Sequence, residues 1–373
     1  LDEQIATLRK RGVTFDHMSE ERAKSFLSSN SYFFKIKSYE NNYPRHGDGD
    51  GYRYEGLDFD YLVELSLIDF ALSRLVWSMC SSIEHGVKVR LNQLLMQDDD
   101  PDIAEKCVRR CWSGNLPQLH DNPYTDDLKV SCHNDFAPWQ LWELLGFNEQ
   151  LRLYEAYYRL KDNQEAPNKH LLFIVRKMRN AVSHGNCLLA DVKRLAPTMK
   201  DTGRSDAEVT SAAMRMCDRK PKTRGRRANT FQHSLDRLVV NNYAAVLLCH
   251  LEFVCSPRSL DHSCDEVQKF LDRVDRRRAE YFGDKGVRQP RNQTVDSTLE
   301  ALVTLSKGYI RKAHKKASDL DANDPYGSRK RTPAELRAKV TRRKEHIRRI
   351  QDECDALESE ALELERLAEQ AES

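Results

Sequence analysis

The chain is predicted to be all-α: a helical bundle with additional helices at its N-terminal end and a coiled-coil-like helix at its C-terminal end. Apolar residues recur at spacings of three and four through most of its length, and no run of useful length alternates as a strand would. The glycine-dense stretch is confined to Tyr43–Gly56, where Pro44, Gly47, Gly49, Gly51 and Gly56 mark a loop. With 373 residues, two compact units or one domain with a long extension are expected, and a charged fraction of 32% makes the surface large relative to the core.

Taken in order, Asp2 to Arg11 is a short amphipathic start, and Ser19 to Asn30 opens on a Ser-Glu-Glu cap. Phe59 to Met96 is a long apolar helix, broken only by Gly86. Asp98 to Pro138 is polar and irregular with short helical pieces; Trp139 to Leu160 and Asn168 to His184 then read as core helices. Trp139 and Trp142 fall in an apolar helical stretch and are expected to anchor packing rather than to stack on bases. A helix from Ser234 to Cys255 completes the bundle. Its apolar part, Leu238 to Val254, is interrupted by Asn241, Asn242, His250 and Glu252, which suits a buried or amphipathic helix better than a membrane span. No N-terminal signal sequence is read. Ten scattered cysteines fit a reducing cytoplasm, the predicted location, better than a disulfide framework. Cys107, Cys111, Cys132 and His133 match no zinc spacing, and neither metal nor cofactor is expected.

The predicted divisions are an N-terminal helical region at 1–56, a core at 57–256 with a basic insertion at about 198–232, a basic helical or linker region at 257–331, and a C-terminal helix at 332–373. In the insertion, Arg219, Lys220, Lys222, Arg224, Arg226 and Arg227 fall within nine residues beside Pro221 and Gly225. Such a loop would attract phosphates without reading bases. Net charge is only +2, but charge is segregated: 15 basic against 5 acidic residues lie between Lys307 and Arg349, and nine acidic residues against Arg366 from Gln351 to Ser373. Thr332-Pro333-Ala334-Glu335 is a helix-start signal. Beyond it Val340, Ile347, Ile350, Cys354, Leu357, Ala361, Leu364, Ala368 and Ala371 form a heptad seam with Arg343 as its polar intruder. Antiparallel pairing would oppose basic and acidic halves, so a partner helix is expected, in a second copy or elsewhere in the chain.

The segment Arg179-Asn180-Ala181-Val182-Ser183-His184, followed by Gly185, carries the clearest chemistry. Arginine grips phosphate with a permanent charge and a planar fork of donors, and histidine, with an ordinary pKa of about 6.5, exchanges protons near neutrality. Together they can stabilise a phosphorane-like transition state and move its protons without a metal. Arg11 to His17 and Arg227 to His233 share a similar spacing, but only Arg179 lies beside an apolar helical face, that of Leu171, Leu172, Val175, Met178 and Val182. Residues five apart on a helix are separated by roughly 140°. Gly185 is therefore expected to cap the helix in the left-handed conformation and let His184 swing back toward Arg179. The alternative is a solvated arginine and a histidine placed at the C-terminus by the helix dipole. Glu84, His85 and Lys88 form a second polar cluster in an apolar helix, with Glu84 and Lys88 spaced for an intrahelical pair.

The spacing of Arg179 and His184 resembles the Arg-x4-6-His motif of the HEPN superfamily, with Asn180 where that superfamily often has a polar residue. Other segments resemble the Abi-like (AbiD/AbiF) abortive-infection family in the same order: residues 1 to 12; Ala23 to Phe34; Leu57 to Leu62; Ile68-Asp69-Phe70 with Arg74; Ile83 to Val89; and Ala137 to Phe147. The Ile83 to Val89 segment points to the AbiF branch. The likeness spans about residues 1 to 255, with Leu-Gly-Phe-Asn where a Phe-Gly pair is common and no counterpart for much of the chain after Arg219. It implies a HEPN-type bundle and a metal-independent endoribonuclease toxin of phage defence, cleaving RNA by attack of the 2′-hydroxyl with Arg179 and His184 catalytic. Glu84, His85, Lys88 and Asn180 would support that site. It further implies a homodimer with a shared cleft, neutralised by a small noncoding RNA or an antitoxin protein, and no membrane association. The alternatives are a catalytically silent RNA-binding HEPN scaffold and a protein-interaction module.

Overall fold

The structure, a computed structural model, describes residues 1–47, 51–112, 123–132, 138–196, 206–220, 230–283 and 292–322, and the separate positions 337, 341, 344, 345, 348, 351, 355 and 359. Residues 1–320 form one compact unit and 321–373 a second. The protein is all-α as predicted, and its one described sheet is a two-residue antiparallel pair, β1 (Arg45–His46) with β2 (Arg53–Tyr54). That pair lies inside the stretch expected to be loop. It is held from outside: the Tyr54 amide donates to the Arg11 carbonyl at 2.7 Å, at the end of α1 (Asp2–Lys10).

Helix starts follow the capping chemistry of the sequence. Ser19 accepts from the Arg22 amide at 3.4 Å and opens α2 (Glu20–Ser29), and α3 (Phe33–Ser38) follows. Asp58 caps α4 (Phe59–Met96) by accepting from the Asp60 amide at 2.9 Å, while its other oxygen takes the Thr14 hydroxyl and the Asp16 amide. One carboxylate thus joins the N-terminal region to the central helix.

The 38 residues of α4 run unbroken for about 57 Å. Gly86, expected to interrupt the helix, instead lets another backbone approach: a Cβ there would stand 2.5 Å from the Phe253 carbonyl oxygen. Phe253 ends α12 (Leu238–Phe253). This helix, α4 and α9 (Lys169–Ser183) pack on one another around buried Leu72, Val76, Met79, Ile83, Leu172, Val175, Met178, Val240 and Leu247. Each such side chain contributes about 1.5–3 kcal/mol on burial.

The remaining described helices clad this core. α5 (Ile103–Trp112) packs on α8 (Phe147–Lys161); α6 (Asp126–Cys132) and α7 (Pro138–Leu144) lie between them in sequence. The single helix predicted over Trp139 to Leu160 is divided at Leu145–Gly146, where Gly146 is extended and the Gln150 side chain donates to the Leu145 carbonyl at 2.9 Å. Trp142 is buried, as its packing role required, whereas the Trp139 side chain lies outside the described part.

α10 (Asp206–Met216) packs on α12. The helix predicted from Ser234 begins only at Leu238, after the short α11 (Thr230–Ser234), because Leu238 and Asp236 are engaged by the backbone of Arg194 and Ala196. Residues 257–322 supply α13 (Pro257–Asp275), α14 (Arg278–Tyr281) and α15 (Gln293–Ala322), whose buried faces join the core of the first unit. Arg273 on α13 meets buried Glu64 on α4 through two bonds of 2.8 and 2.7 Å.

The heptad residues Val340, Ile347, Ile350, Cys354, Leu357, Ala361, Leu364, Ala368 and Ala371, Arg343 among them and the Thr332–Glu335 start signal lie outside the described residues. The described positions from 337 to 359 are helical and exposed. No helix of the described residues is long and apolar enough to cross a membrane.

Candidate functional site

α9 ends as its sequence dictates. His184 is the cap residue, and Gly185 takes φ +67°, the left-handed conformation predicted for it. The Gly185 amide donates to the Val182 carbonyl at 3.1 Å and the Asn186 amide to the Ala181 carbonyl at 3.0 Å, the paired bonds of a Schellman cap. The chain leaving this cap is held from below. Buried Asp69 of α4 accepts from the Leu188 and Leu189 amides at 3.1 and 3.3 Å and from the Tyr39 hydroxyl at 2.8 Å. Asn42 completes the clamp, donating to the Leu189 carbonyl at 2.8 Å and accepting from the Val192 amide at 2.9 Å. Burial pushes the Asp69 carboxyl above the usual carboxylate range, and its three donors pull the other way.

Arg179 points to α4. Its Nε stands 3.8 Å from Glu84 Oε2 and its guanidinium carbon 5.8 Å from the centre of the Trp77 ring. Trp77, Ser81, Glu84, His85, Lys88 and Arg179 line one cavity of about 320 Å³. The polar cluster of α4 and the arginine of α9 are therefore one site, with three of the α4 groups singled out in the sequence beside Arg179. Behind the cavity, burial pushes the Cys80 thiol up to about 12. Glu84 and Lys88, though spaced for an intrahelical pair, take cross-helix partners: Glu84 faces Arg179, and Lys88 Nζ lies 3.5 Å from Glu143 on α7.

Trp77 and Ser81 were not legible as site residues, although a signal existed. Positions 77, 81, 84 and 88 follow spacings of four, three and four, one stripe of a helix.

His184 does not line this cavity. It is exposed, as is Asn180, and no hydrogen bond or ion pair joins it to Arg179 among the described residues. The expectation that Gly185 would swing the imidazole toward the guanidinium is corrected for a physical reason. The glycine turn comes one residue too late: Gly185 redirects only the chain after it, while His184 is placed by the helix that runs through Ser183, roughly 140° round the axis from Arg179.

Of the basic insertion, Lys222, Arg224, Arg226 and Arg227 lie outside the described residues. Arg219 and Lys220 follow α10; the Arg219 guanidinium lies 4.7 Å from the centre of the Phe231 ring, and Lys220 is exposed. Cys107 is buried and Cys111 half-buried on α5, whereas the Cys132 side chain and His133 lie outside the described part. Among the described residues, no three His, Cys, Asp or Glu side chains are grouped to hold a metal ion.

Fold and site together define an all-α protein that gathers arginine, lysine, histidine and glutamate round one polar cavity. Residues 25–190 match the family model described as Abi-like protein, so that segment is similar to the Abi-like family. The match ends just beyond the Asp69-bound turn and so takes in α4, α9 and every residue of the cavity. No curated protein and no solved structure matches the chain.

Proposed function

We propose that the chain is a metal-independent endoribonuclease of the HEPN type, closest to the AbiF branch, acting as an abortive-infection toxin. The observation that carries this reading is the cavity that joins Arg179 to Glu84, His85 and Lys88 inside the segment matched by the Abi-like family. Arg179 and Lys88 supply positive charge for a phosphate, and Glu84 orients the guanidinium. The substrate 2′-hydroxyl attacks the adjacent phosphorus as the 5′-oxygen bond breaks, leaving a 2′,3′-cyclic phosphate and a 5′-hydroxyl. One group must take the 2′ proton and another must protonate the leaving oxygen. His184 serves one of these steps. Because it lies outside the Arg179 cavity within its own chain, a twofold dimer that faces two such helix ends across one cleft completes the site.

Incubating the purified chain with total RNA, with and without EDTA, tests the reading. Cleavage in both conditions, with 2′,3′-cyclic phosphate ends, is expected, and its loss in Arg179→Ala and His184→Ala chains that melt like wild type. Either variant cutting RNA as wild type does would remove that residue from the mechanism. Equal activity of His85→Ala and wild type would leave His184 as the proton carrier, and loss in His85→Ala alone would transfer the role to His85.

A further inference from the structure

The helix that sends Arg179 toward α4 presents a different face to solvent. At 100° per residue, Phe173, Lys177, Asn180 and His184 fall within about 60° of one another, whereas Arg179 lies about 120° from Phe173. All four are exposed. The Phe173 end of this stripe opens onto a groove of about 1190 Å³ between α8 and α9, to which α10 and α12 contribute. Phe173 is a large apolar ring left 41% exposed on an otherwise well-packed helix, with the Arg176 guanidinium 4.8 Å and the Lys177 ammonium 4.5 Å from its centre. Arg176 is in turn held by Asn148 of α8.

Charge in the groove is not balanced evenly. Glu155 and Glu165 are taken by Arg159 and Lys169 at 2.9 to 3.6 Å, so that end is neutral. The rest of the lining carries Arg110, Arg152, Arg176 and Lys177 against Glu208.

We propose that this groove holds the single-stranded flank of an RNA whose scissile phosphate lies at the motif end of α9, with a base stacked on Phe173 and phosphates on Arg152 and Lys177. The proposal rests on the nuclease reading above for the identity of the strand. The eleven helical steps from Phe173 to His184 span about 16 Å, so a strand lying along α9 reaches both. A ring flanked by cations is the arrangement that binds unpaired nucleotides, since every base offers a π face and every linkage a negative charge. An acidic peptide would use the cations and leave the ring idle, and a duplex keeps its bases stacked on one another.

The test measures binding of a fluorescein-labelled, short 2′-O-methyl oligouridine, which lacks the attacking hydroxyl, by anisotropy across a salt series. Phe173→Ala is expected to weaken binding roughly tenfold, and Phe173→Trp to preserve it. Lys177→Gln should lower the slope of log affinity against log salt by about one. Phe173 lies outside the core, and a circular dichroism melt checks that each variant is folded. The proposal is overturned if Phe173→Ala binds as wild type does, if a duplex binds equally well, if polyglutamate competes as strongly, or if the wild-type chain binds no RNA. Cleavage is scored separately on unmodified RNA. Cleavage with binding that ignores Phe173 removes the groove and leaves the nuclease, while Phe173-dependent binding without cleavage removes the nuclease and leaves the groove.

Discussion

His250 shows how a single buried side chain sets a pH limit on this fold. It sits in the middle of the core, its Nδ1 paired with the Tyr309 hydroxyl at 2.9 Å and its Nε2 with the Ser263 hydroxyl at 3.2 Å. Burial, with the Lys316 charge nearby, pulls its pKa down to about 4. The folded protein therefore keeps the ring neutral in a range where the unfolded chain, at about 6.5, takes up a proton. Stability is complete above pH 6.5 and falls as pH drops toward 4, because the unfolded state binds the extra proton. Urea titrations should show about 2 kcal/mol less stability at pH 5 than at pH 7 from this residue, and His250→Gln should flatten that dependence. A His250→Gln chain with the wild-type slope would assign the acid sensitivity elsewhere. The sequence marks His250 only as a polar interruption of an apolar run. Its partners come from two other helices.

At the scale of one helix, Gly86 sets two effects against each other. Alanine is the better helix former by about 1 kcal/mol, and α4 is continuous at this point. A methyl group would, however, meet the Phe253 carbonyl oxygen at 2.5 Å, which only a shift of α12 against α4 can relieve. Overpacking of this kind costs typically 1–3 kcal/mol. Gly86→Ala should thus lower the denaturation midpoint despite its propensity, with a net loss of up to about 2 kcal/mol. A rise in the midpoint would show that the two helices part easily. The glycine was visible in the sequence and its meaning was not: inside a helix, a break and a close approach look alike until the second backbone is known. The same holds for α9, where the cap at Gly185 was legible from a local rule, while the direction of His184 depended on the dihedral angles one residue earlier.

For the whole molecule, the proposed shared cleft makes association a requirement of activity. Phe70 and Trp77, 58% and 48% exposed, lie seven apart on one face of α4, with Trp77 at the Arg179 cavity, and in the proposed dimer would offer apolar surface to a second copy. The heptad pattern read in the sequence from Val340 to Ala371 is proposed as a second means of pairing. Sedimentation should show a homodimer, and deletion of residues 333–373 should weaken its association. Mixing Arg179→Ala with His184→Ala chains then reads the arrangement of the site. Inactive mixtures mean that each half needs its own intact pair, and recovered cleavage means that the two residues act across the interface. An active monomer at assay concentration would end the shared-cleft reading.

Alone, the sequence determined the helical class, the caps at Ser19 and Gly185, the buried face of α9 and the burial of Trp142, all of which rest on periodicity or on contacts within a few residues. It also placed Glu84, His85 and Lys88 together, since residues three and four apart share a helix face. Only the tertiary structure decided that Glu84 and Lys88 pair across helices, that Arg179 belongs to their cavity with Trp77 and Ser81, and that His184 does not. It likewise revealed that Asp69 and Asn42 clamp the chain after the motif, through bonds between residues more than a hundred positions apart. Local spacing sets which face a side chain occupies. What that face meets is set by the packing of α4, α9 and α12, which buries their apolar stripes and leaves the polar residues between them to find partners on whichever helix arrives.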